Sequence, residues 1–180
     1  MVKQVLFIQG AGEGAHEADA KLAASLKSAL GPGYIVHFPK MSNESSPDYA
    51  PWKRQITELM SVLGKDLILV GHSAGGSILL KVLMEKEHQA GIASVSVVAA
   101  PFWSDQGWKW EDAELPKDAG ARLSLPLFLY HSRDDEEVPY AHADLYRRVF
   151  PRAKLQCLSG RNHQLNDDLS EVAADIRRLD

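Results

Sequence analysis

Short runs of apolar residues recur along the chain, and stretches with a different spacing of apolar positions lie between them. Six of these runs have the length of a buried strand, and they cover residues 5–8, 34–38, 67–70, 92–99, 125–130 and 155–158. A continuous apolar run of this length that ends at glycine or polar residues is typical of a parallel strand covered on both faces. The pattern therefore predicts six strands, most of them in a parallel sheet.

Between the runs, apolar residues return every three or four positions, which indicates about five helices, each with one apolar face. The stripes are Leu22, Leu26, Ala29 and Leu30; Trp52, Ile56, Leu59, Met60 and Leu63; the buried segment 78–84; Leu145, Tyr146, Val149 and Phe150; and Leu169, Val172, Ala173 and Ile176. Alternating strands and helices form right-handed βαβ units with helices on both faces of the sheet. We predict an α/β fold, a three-layer αβα sandwich with a six-stranded sheet, as a single domain over residues 1–180.

One segment departs from this alternation. Residues 102–122 mix tryptophans with charged residues, glycines and a proline, without helical or strand spacing. Such a composition predicts an irregular loop with a short helix. Because ligands of open α/β sheets bind beyond the carboxyl ends of the strands, we expect the chemistry on the loops that leave those ends.

Charge and composition narrow the classes of function. The chain has 24 acidic and 20 basic side chains and a formal net charge of −4, and no basic stripe that would favour nucleic acid. No apolar run is long enough to cross a bilayer, and the start lacks the features of a secretory signal. The single cysteine, Cys157, excludes an internal disulfide, and we expect it in the core of its strand. We expect a cytoplasmic protein.

The sequence Gly71-His72-Ser73-Ala74-Gly75 directly follows a predicted strand and directly precedes a predicted helix. G-x-S-x-G in this setting predicts a nucleophile elbow, a turn so tight that the serine backbone is strained and its hydroxyl stands above the sheet. A Cβ at either outer glycine would collide with the neighbouring strand or helix. The alternative is a glycine-rich turn without chemistry, and we expect the neighbouring His72 to be structural.

A nucleophilic serine needs a base, and the base needs a third group to hold it. After an elbow of this kind the chain order is serine, acid and histidine, each on a loop that follows a strand. His163 follows the last predicted strand and is the candidate base, while the other histidines are expected to be structural or exposed. The acid comes from the loop before Pro139, where Asp135 fits the pattern H-S-x-x-D-x-x-V-P. Asp134 is the alternative acid.

The glycine-rich loop after the first strand, residues 9–15, has two interpretations. Gly10, Gly12 and Ala15 fit the dinucleotide pattern G-x-G-x-x-G/A, but the next predicted strand lacks the carboxylate that such sites use to bind ribose. The favoured interpretation is catalytic. We expect the backbone N–H groups of Ala11 and Ala74 to hold the negative oxygen of a tetrahedral intermediate.

The interval between Ser73 and Asp135 must hold a helix, two strands and the aromatic segment, so it leaves no room for a separate lid domain. We hypothesise that Phe102, Trp103 and Trp108 form an apolar wall for the acyl or alcohol group of a substrate. The alternative is that these side chains form a packing cluster on the face of the sheet.

These motifs together resemble the small serine hydrolases of the α/β-hydrolase superfamily, in particular the retinoblastoma-binding-protein-9-like and YdeN-like group. The resemblance covers nearly the whole chain and is carried by the G-x-G loop, the GHSAG elbow, the segment with Trp108 and Trp110, the Asp135 loop and the G-R-N-H sequence at 160–163. It implies a six-stranded sheet, a triad of Ser73, Asp135 and His163, and no metal or organic cofactor. Many hydrolases have His-Gly where this chain has Gln9-Gly10.

The expected function is acyl transfer from a small-molecule substrate to water through an acyl-enzyme. The same machinery serves carboxylesterases, amidases, peptidases and thioesterases, so the sequence does not determine which class of bond is cleaved. It does not determine the oligomeric state either. Two alternatives come from other classes of protein. One is a binding or scaffolding module with a weak triad, and the other is a nucleotide-binding α/β domain built on the first loop.

Overall fold

A single parallel sheet organises the computed structural model of the protein, which describes residues 2–85 and 88–179. Its strands are β1 (Lys3–Ile8), β2 (Tyr34–His37), β3 (Leu67–His72), β4 (Ile92–Val98), β5 (Leu127–Ser132) and β6 (Lys154–Leu158). Their spatial order is β2-β1-β3-β4-β5-β6, and every neighbouring pair is parallel. The predicted six strands are confirmed, and β3 lies near the middle of the sheet.

Helices cover both faces of this sheet. They are α1 (Ala15–Leu30), α2 (Tyr49–Leu63), α3 (Ala74–Leu83), α4 (Ala119–Arg122), α5 (Ala141–Val149) and α6 (Ser170–Arg177). Buried residues of α1 and α6 belong to one core cluster, and those of α2, α3 and α5 belong to another. The predicted three layers are therefore confirmed. Within the described residues, no helix is both long and apolar enough to span a bilayer.

Strand β1 shows why its sequence is apolar without alternation. Val5 and Phe7 pack in the cluster with α1 and α6, whereas Leu6 and Ile8 pack in the cluster on the opposite face. Successive side chains of a strand point to opposite faces, so a sheet with two covered faces requires apolar residues at every position. All four of these side chains are fully buried.

The segment between β4 and β5 is irregular, as predicted. It contains an isolated bridge between Trp103 and Trp108, a 3₁₀ turn at Glu111–Ala113 and the short helix α4. The indole of Trp103 lies 5.3 Å from that of Trp110 and 5.8 Å from that of Trp108, measured between ring centroids. These contacts form an aromatic cluster on the loop that leaves β4.

The prediction that Cys157 lies in the core is wrong, because its side chain is exposed. Strand β6 is at the edge of the sheet and pairs with β5 alone. An edge strand has no neighbour beyond it, and none of the residues Lys154–Leu158 of β6 is fully buried, so Cys157 is open to solvent.

Candidate active site

Ser73 lies in the turn between β3 and α3 at the carboxyl edge of the sheet. Its backbone has φ +49° and ψ −128°, a conformation that side-chain-bearing residues rarely adopt. The Ser73 N–H donates to the carbonyl oxygen of Val98 at 2.8 Å, which holds the turn against the end of β4. The strained strand-to-helix turn expected from the sequence is present at this serine.

Two glycines permit the close approach that this turn requires. A Cβ on Gly75 would lie 2.1 Å from the carbonyl oxygen of Gln9, and one on Gly71 would lie 2.6 Å from the Cα of Gly76. Both obstacles are backbone atoms, so neither could move aside as a side chain does. The collision that the sequence predicted at these positions is confirmed.

We expect Gly75→Ala to lower the free energy of unfolding by about 3 kcal/mol or more, because its methyl group would force the first loop away from α3. Urea denaturation followed by circular dichroism measures this loss. Gly33→Ala is the matched control, since a Cβ there meets nothing within 4 Å and the glycine has no positive φ. Equal urea midpoints for the two variants would contradict the steric argument.

His163 and Asp135 meet although they lie on different loops. The Nδ1 atom of His163 is 3.0 Å from Oδ1 and 2.9 Å from Oδ2 of Asp135, and both residues are buried. Asp135 Oδ1 also accepts the N–H groups of Glu137 at 3.0 Å and Val138 at 2.8 Å. An ionised carboxylate can only accept hydrogen bonds, so the Nδ1 atom carries a proton, and in the neutral ring the Nε2 atom of His163 is then an acceptor.

The environment of Asp135 keeps it ionised. Burial opposes the charged form, but hydrogen bonds with His131 and His163 and with the Val138 N–H lower the pKa of Asp135 below its ordinary value. The carboxylate thus presents a negative charge to His163 at neutral pH. Such a charge stabilises the imidazolium that forms when Nε2, on the opposite side of the ring, takes a proton.

Asp134, the alternative acid, faces elsewhere. Its Oδ1 accepts from the hydroxyl of Ser132 and the N–H of Gly160, each at 2.6 Å, and its Oδ2 accepts the Asn162 N–H at 3.2 Å. The Ser132 hydrogen bond is the main reason that the pKa of Asp134 is lowered to about 2. Asp134 therefore ties the loop after β5 to the loop after β6, and Asp135 is the carboxylate at the Nδ1 atom of His163.

His131 contacts the same carboxylate, which the sequence analysis did not anticipate. Its Nε2 lies 3.2 Å from Asp135 Oδ2 and 2.8 Å from the carbonyl oxygen of Val138. The signal was present, because His131 is the first letter of the H-S-x-x-D pattern that singled out Asp135. The ring therefore restrains the carboxylate in addition to the contact from His163.

A small open cavity of about 230 Å³ adjoins these groups. Its lining comes from the first loop, the start of α1, the turn before α3 and the loops after β5 and β6, and consists of residues 10–15, Ala18, Asp19, His72, Ser73, Glu137, His163 and Gln164. The cavity therefore brings together the predicted nucleophile, the predicted base and Ala11. Ala74 begins α3, and an N–H at that position has no partner within its own helix.

The first loop passes directly over the serine. A Cβ on Gly10 would lie 3.1 Å from the Cβ of Ser73, so the loop approaches closely because it has a glycine there. Gln9 holds the loop in place, since its Nε2 donates to Glu44 Oε2 at 2.7 Å and its Oε1 accepts the Met41 N–H at 3.0 Å. At the place where many hydrolases have histidine, the glutamine thus links this loop to residues 41–44.

The aromatic residues expected to form a substrate wall lie outside this cavity. Phe102 is buried and packs edge-to-face on Tyr146 with ring centroids 4.9 Å apart. Trp108 is 40% exposed and lies against His142, and Trp103 is held between two other tryptophans. Within the described residues, none of the three lines the cavity beside Ser73. The contacts favour the packing cluster for Phe102, and the wall stays a prediction.

The sheet is parallel, a strained serine turn follows its central strand β3, and a His–Asp contact joins the loops after β5 and β6. This is the architecture of an α/β hydrolase. The chain belongs to the alpha/beta hydrolase family, whose model matches residues 5–179. No curated protein matches the sequence.

Solved structures share the fold at low identity. The ydeN gene product from B. subtilis has a TM-score of 0.76 at 19% identity, over 98% of each chain. The esterase domain of a Rhodothermus marinus protein has a TM-score of 0.74 at 20% identity, over 98% of this chain and 87% of that one. A bromoperoxidase from Bacillus anthracis has a TM-score of 0.72 at 16% identity, over 99% and 92%. The likeness extends over the whole sheet and its helices.

Proposed function

We propose that the protein is a serine hydrolase that cleaves a small ester or related acyl substrate through an acyl-enzyme. The observation that carries the proposal is the double contact of His163 Nδ1 with the Asp135 carboxylate, beside the cavity that Ser73 lines. A histidine held in this tautomer has its Nε2 atom available to take a proton from a serine hydroxyl.

In the proposed mechanism, Ser73 Oγ attacks the carbonyl carbon of the substrate while His163 Nε2 takes the hydroxyl proton. The N–H groups of Ala74 and Ala11 hold the negative oxygen of the tetrahedral intermediate. His163 then gives its proton to the leaving group, and the acyl group stays on Ser73. Water then attacks the acyl carbon while His163 takes its proton. The bond between the acyl carbon and Ser73 Oγ breaks, His163 returns the proton to Oγ, and the carboxylic acid leaves. Asp135 stabilises the imidazolium in both halves of the reaction.

The size of the cavity and the family neighbours support an ester with a small acyl group as the first substrate class. The volume of about 230 Å³ lies below the range of pockets that enclose drug-sized ligands. The structural neighbours include an esterase domain from Rhodothermus marinus and an esterase from Exiguobacterium antarcticum. Amides and thioesters use the same groups, and they are the next classes to screen.

One observation favours a binding or scaffolding module as the second candidate function. His163 Nε2 faces Glu137 Oε2 at 3.7 Å, and within residues 2–85 and 88–179 no hydrogen bond joins Ser73 Oγ to His163. Catalytic hydrogen bonds are often long in enzymes without substrate, so the hydrolase stays the first candidate. The hydrolase requires an activated serine, whereas the binding module does not, so the reactivity of Ser73 distinguishes the two.

Labelling with a fluorophosphonate, read by intact mass, tests for that activated serine. We expect one adduct on the unmodified protein and none on Ser73→Ala, because only a hydroxyl with a base beside it reacts readily. Ser61→Ala changes an exposed serine on α2 and is the matched control, which should label fully. If none of the three proteins forms an adduct, the hydrolase proposal fails and the binding module takes its place.

A further inference from the structure

A second Asp–His pair belongs to the lining of the cavity beside Ser73. Asp19 on α1 and His72 at the end of β3 are both 1% exposed, and Asp19 Oδ2 is 3.0 Å from His72 Nδ1. The same carboxylate oxygen accepts the N–H of Gly10 at 2.7 Å. On the other side of the ring, His72 Nε2 is 3.1 Å from the carbonyl oxygen of His163.

Both partners of the His72 ring are acceptors. A carboxylate and a backbone carbonyl have no proton to give, and a neutral imidazole has a single N–H. A neutral ring beside an ionised Asp19 would direct a lone pair at one of the two oxygens. An imidazolium donates to both, so the geometry fits a charged His72 paired with a charged Asp19.

The charges around His72 support this protonation. The ring is faced by Asp19 from α1, by Asp135 from the loop after β5, and by the His163 ring at 4.8 Å from the loop after β6. Burial opposes the charged ring, but the charge and hydrogen bond of Asp19 and the carbonyl of His163 raise the pKa of His72. Burial likewise opposes the charged carboxylate, yet the His72 charge and hydrogen bonds lower the pKa of Asp19.

We propose that Asp19 and His72 form a buried ion pair that positions the first loop and the base relative to the nucleophile. The pair joins three loops, because Asp19 holds Gly10, His72 precedes Ser73, and the ring holds the backbone of His163. Gly10 in turn precedes Ala11, the proposed oxyanion donor. This positioning role rests on the proposed function, whereas the protonation of His72 does not.

Nuclear magnetic resonance of the histidine rings tests the ion pair without reference to activity. We expect the ring of His72 to show two protected N–H protons from about pH 5 to 8, as an imidazolium does, and to be assigned by its absence in His72→Asn. A ring with a single N–H and one free nitrogen in that range would overturn the ion pair. The spectra that decide the question are those of the unmodified protein, and through-bond assignment on isotope-labelled protein identifies the His72 ring if His72→Asn does not fold.

Kinetics of Asp19→Asn test the positioning role. We expect kcat for p-nitrophenyl acetate to fall about 10²-fold, since small displacements of catalytic groups have effects of this size. We also expect a new ionisation in the pH–rate profile below the ordinary histidine range, because His72 would lose its carboxylate partner while burial still opposes the charged ring. A folded Asp19→Asn with the rate and profile of the unmodified protein would overturn the role.

Asp175→Asn is the matched control for this change. Asp175 is a buried carboxylate on α6 that accepts hydrogen bonds from Tyr130 and Gln156, outside the cavity. Its replacement should alter stability but leave the pH–rate profile unchanged. If the unmodified protein neither labels with fluorophosphonate nor hydrolyses the ester, the proposed function fails, and the ring spectra still decide the ion pair.

Discussion

Replacing His163 with alanine is expected to lower kcat for a small ester by about 10⁶-fold, as much as replacing Ser73 itself. Without the imidazole, Ser73 loses the proposed base that takes its proton and returns it to the leaving group. Binding of the ester should change little, since the ring acts on the hydroxyl. Initial rates of p-nitrophenyl acetate hydrolysis measure the effect, with thermal melting to show that each variant is folded.

The double variant Ser73→Ala/His163→Ala gives the sharper result. Residues that act as one unit are strongly non-additive, so the double variant should be no slower than either single variant. His37→Ala is the control, because its ring bonds to Gln4 and does not line the cavity beside Ser73, so the rate should be unchanged. Losses below ten-fold in the single variants, or losses that multiply in the double variant, would show that the two residues do not form a catalytic unit.

The strands could be predicted because each face of the sheet is covered. That arrangement produces continuous apolar runs such as residues 5–8 and 67–70, whose bounds the structure extends by no more than two residues at either end. The edge could not be predicted in the same way. Chain order does not say which strand lies outermost, and for this reason Cys157 was expected in the core although β6 has one neighbour only.

In the candidate site, too, some residues could be predicted from the sequence and others could not. Ser73 and His163 could be chosen from the sequence because the elbow motif and the order of the loops are local properties of the chain. The Asp19–His72 pair could not, since these residues are distant in sequence and meet only because α1 packs beside the end of β3. A lone aspartate within an amphipathic helix gives no sign that its side chain faces inward.

The contact of His131 with Asp135 illustrates an intermediate case. The two residues share one short motif, but their spacing does not tell which side of the carboxylate the ring occupies. Nor does the order of adjacent acids tell which one turns toward the base. That choice depends on the path of the loop after β5, where Asp135 and Asp134 point in different directions.

The second large expected effect is a difference in rate between variants of Asp135 and Asp134. We expect Asp135→Asn to lower kcat about 10⁴-fold, because an amide in place of the carboxylate favours the wrong tautomer of His163 and gives no charge to its imidazolium. Asp134→Asn should keep kcat within ten-fold, since Asp134 bonds to Ser132 and to the backbone after β6 and has no contact with the His163 ring. Parallel pH–rate measurements on both variants make the comparison.

Stability against pH provides the complementary readout. The pKa of Asp134 is lowered to about 2, so its stabilising contribution is present above the unfolded value near 3.9 and is lost as the pH falls toward 2. Urea unfolding should therefore separate Asp134→Asn from the unmodified protein above about pH 4, with the difference shrinking below it. If a variant loses stability but keeps its rate, the replaced carboxylate is structural. If a variant keeps its fold but loses its rate, the replaced carboxylate is the catalytic acid. The reverse assignment, with Asp134→Asn losing about 10⁴-fold and Asp135→Asn active, would move the acid to Asp134.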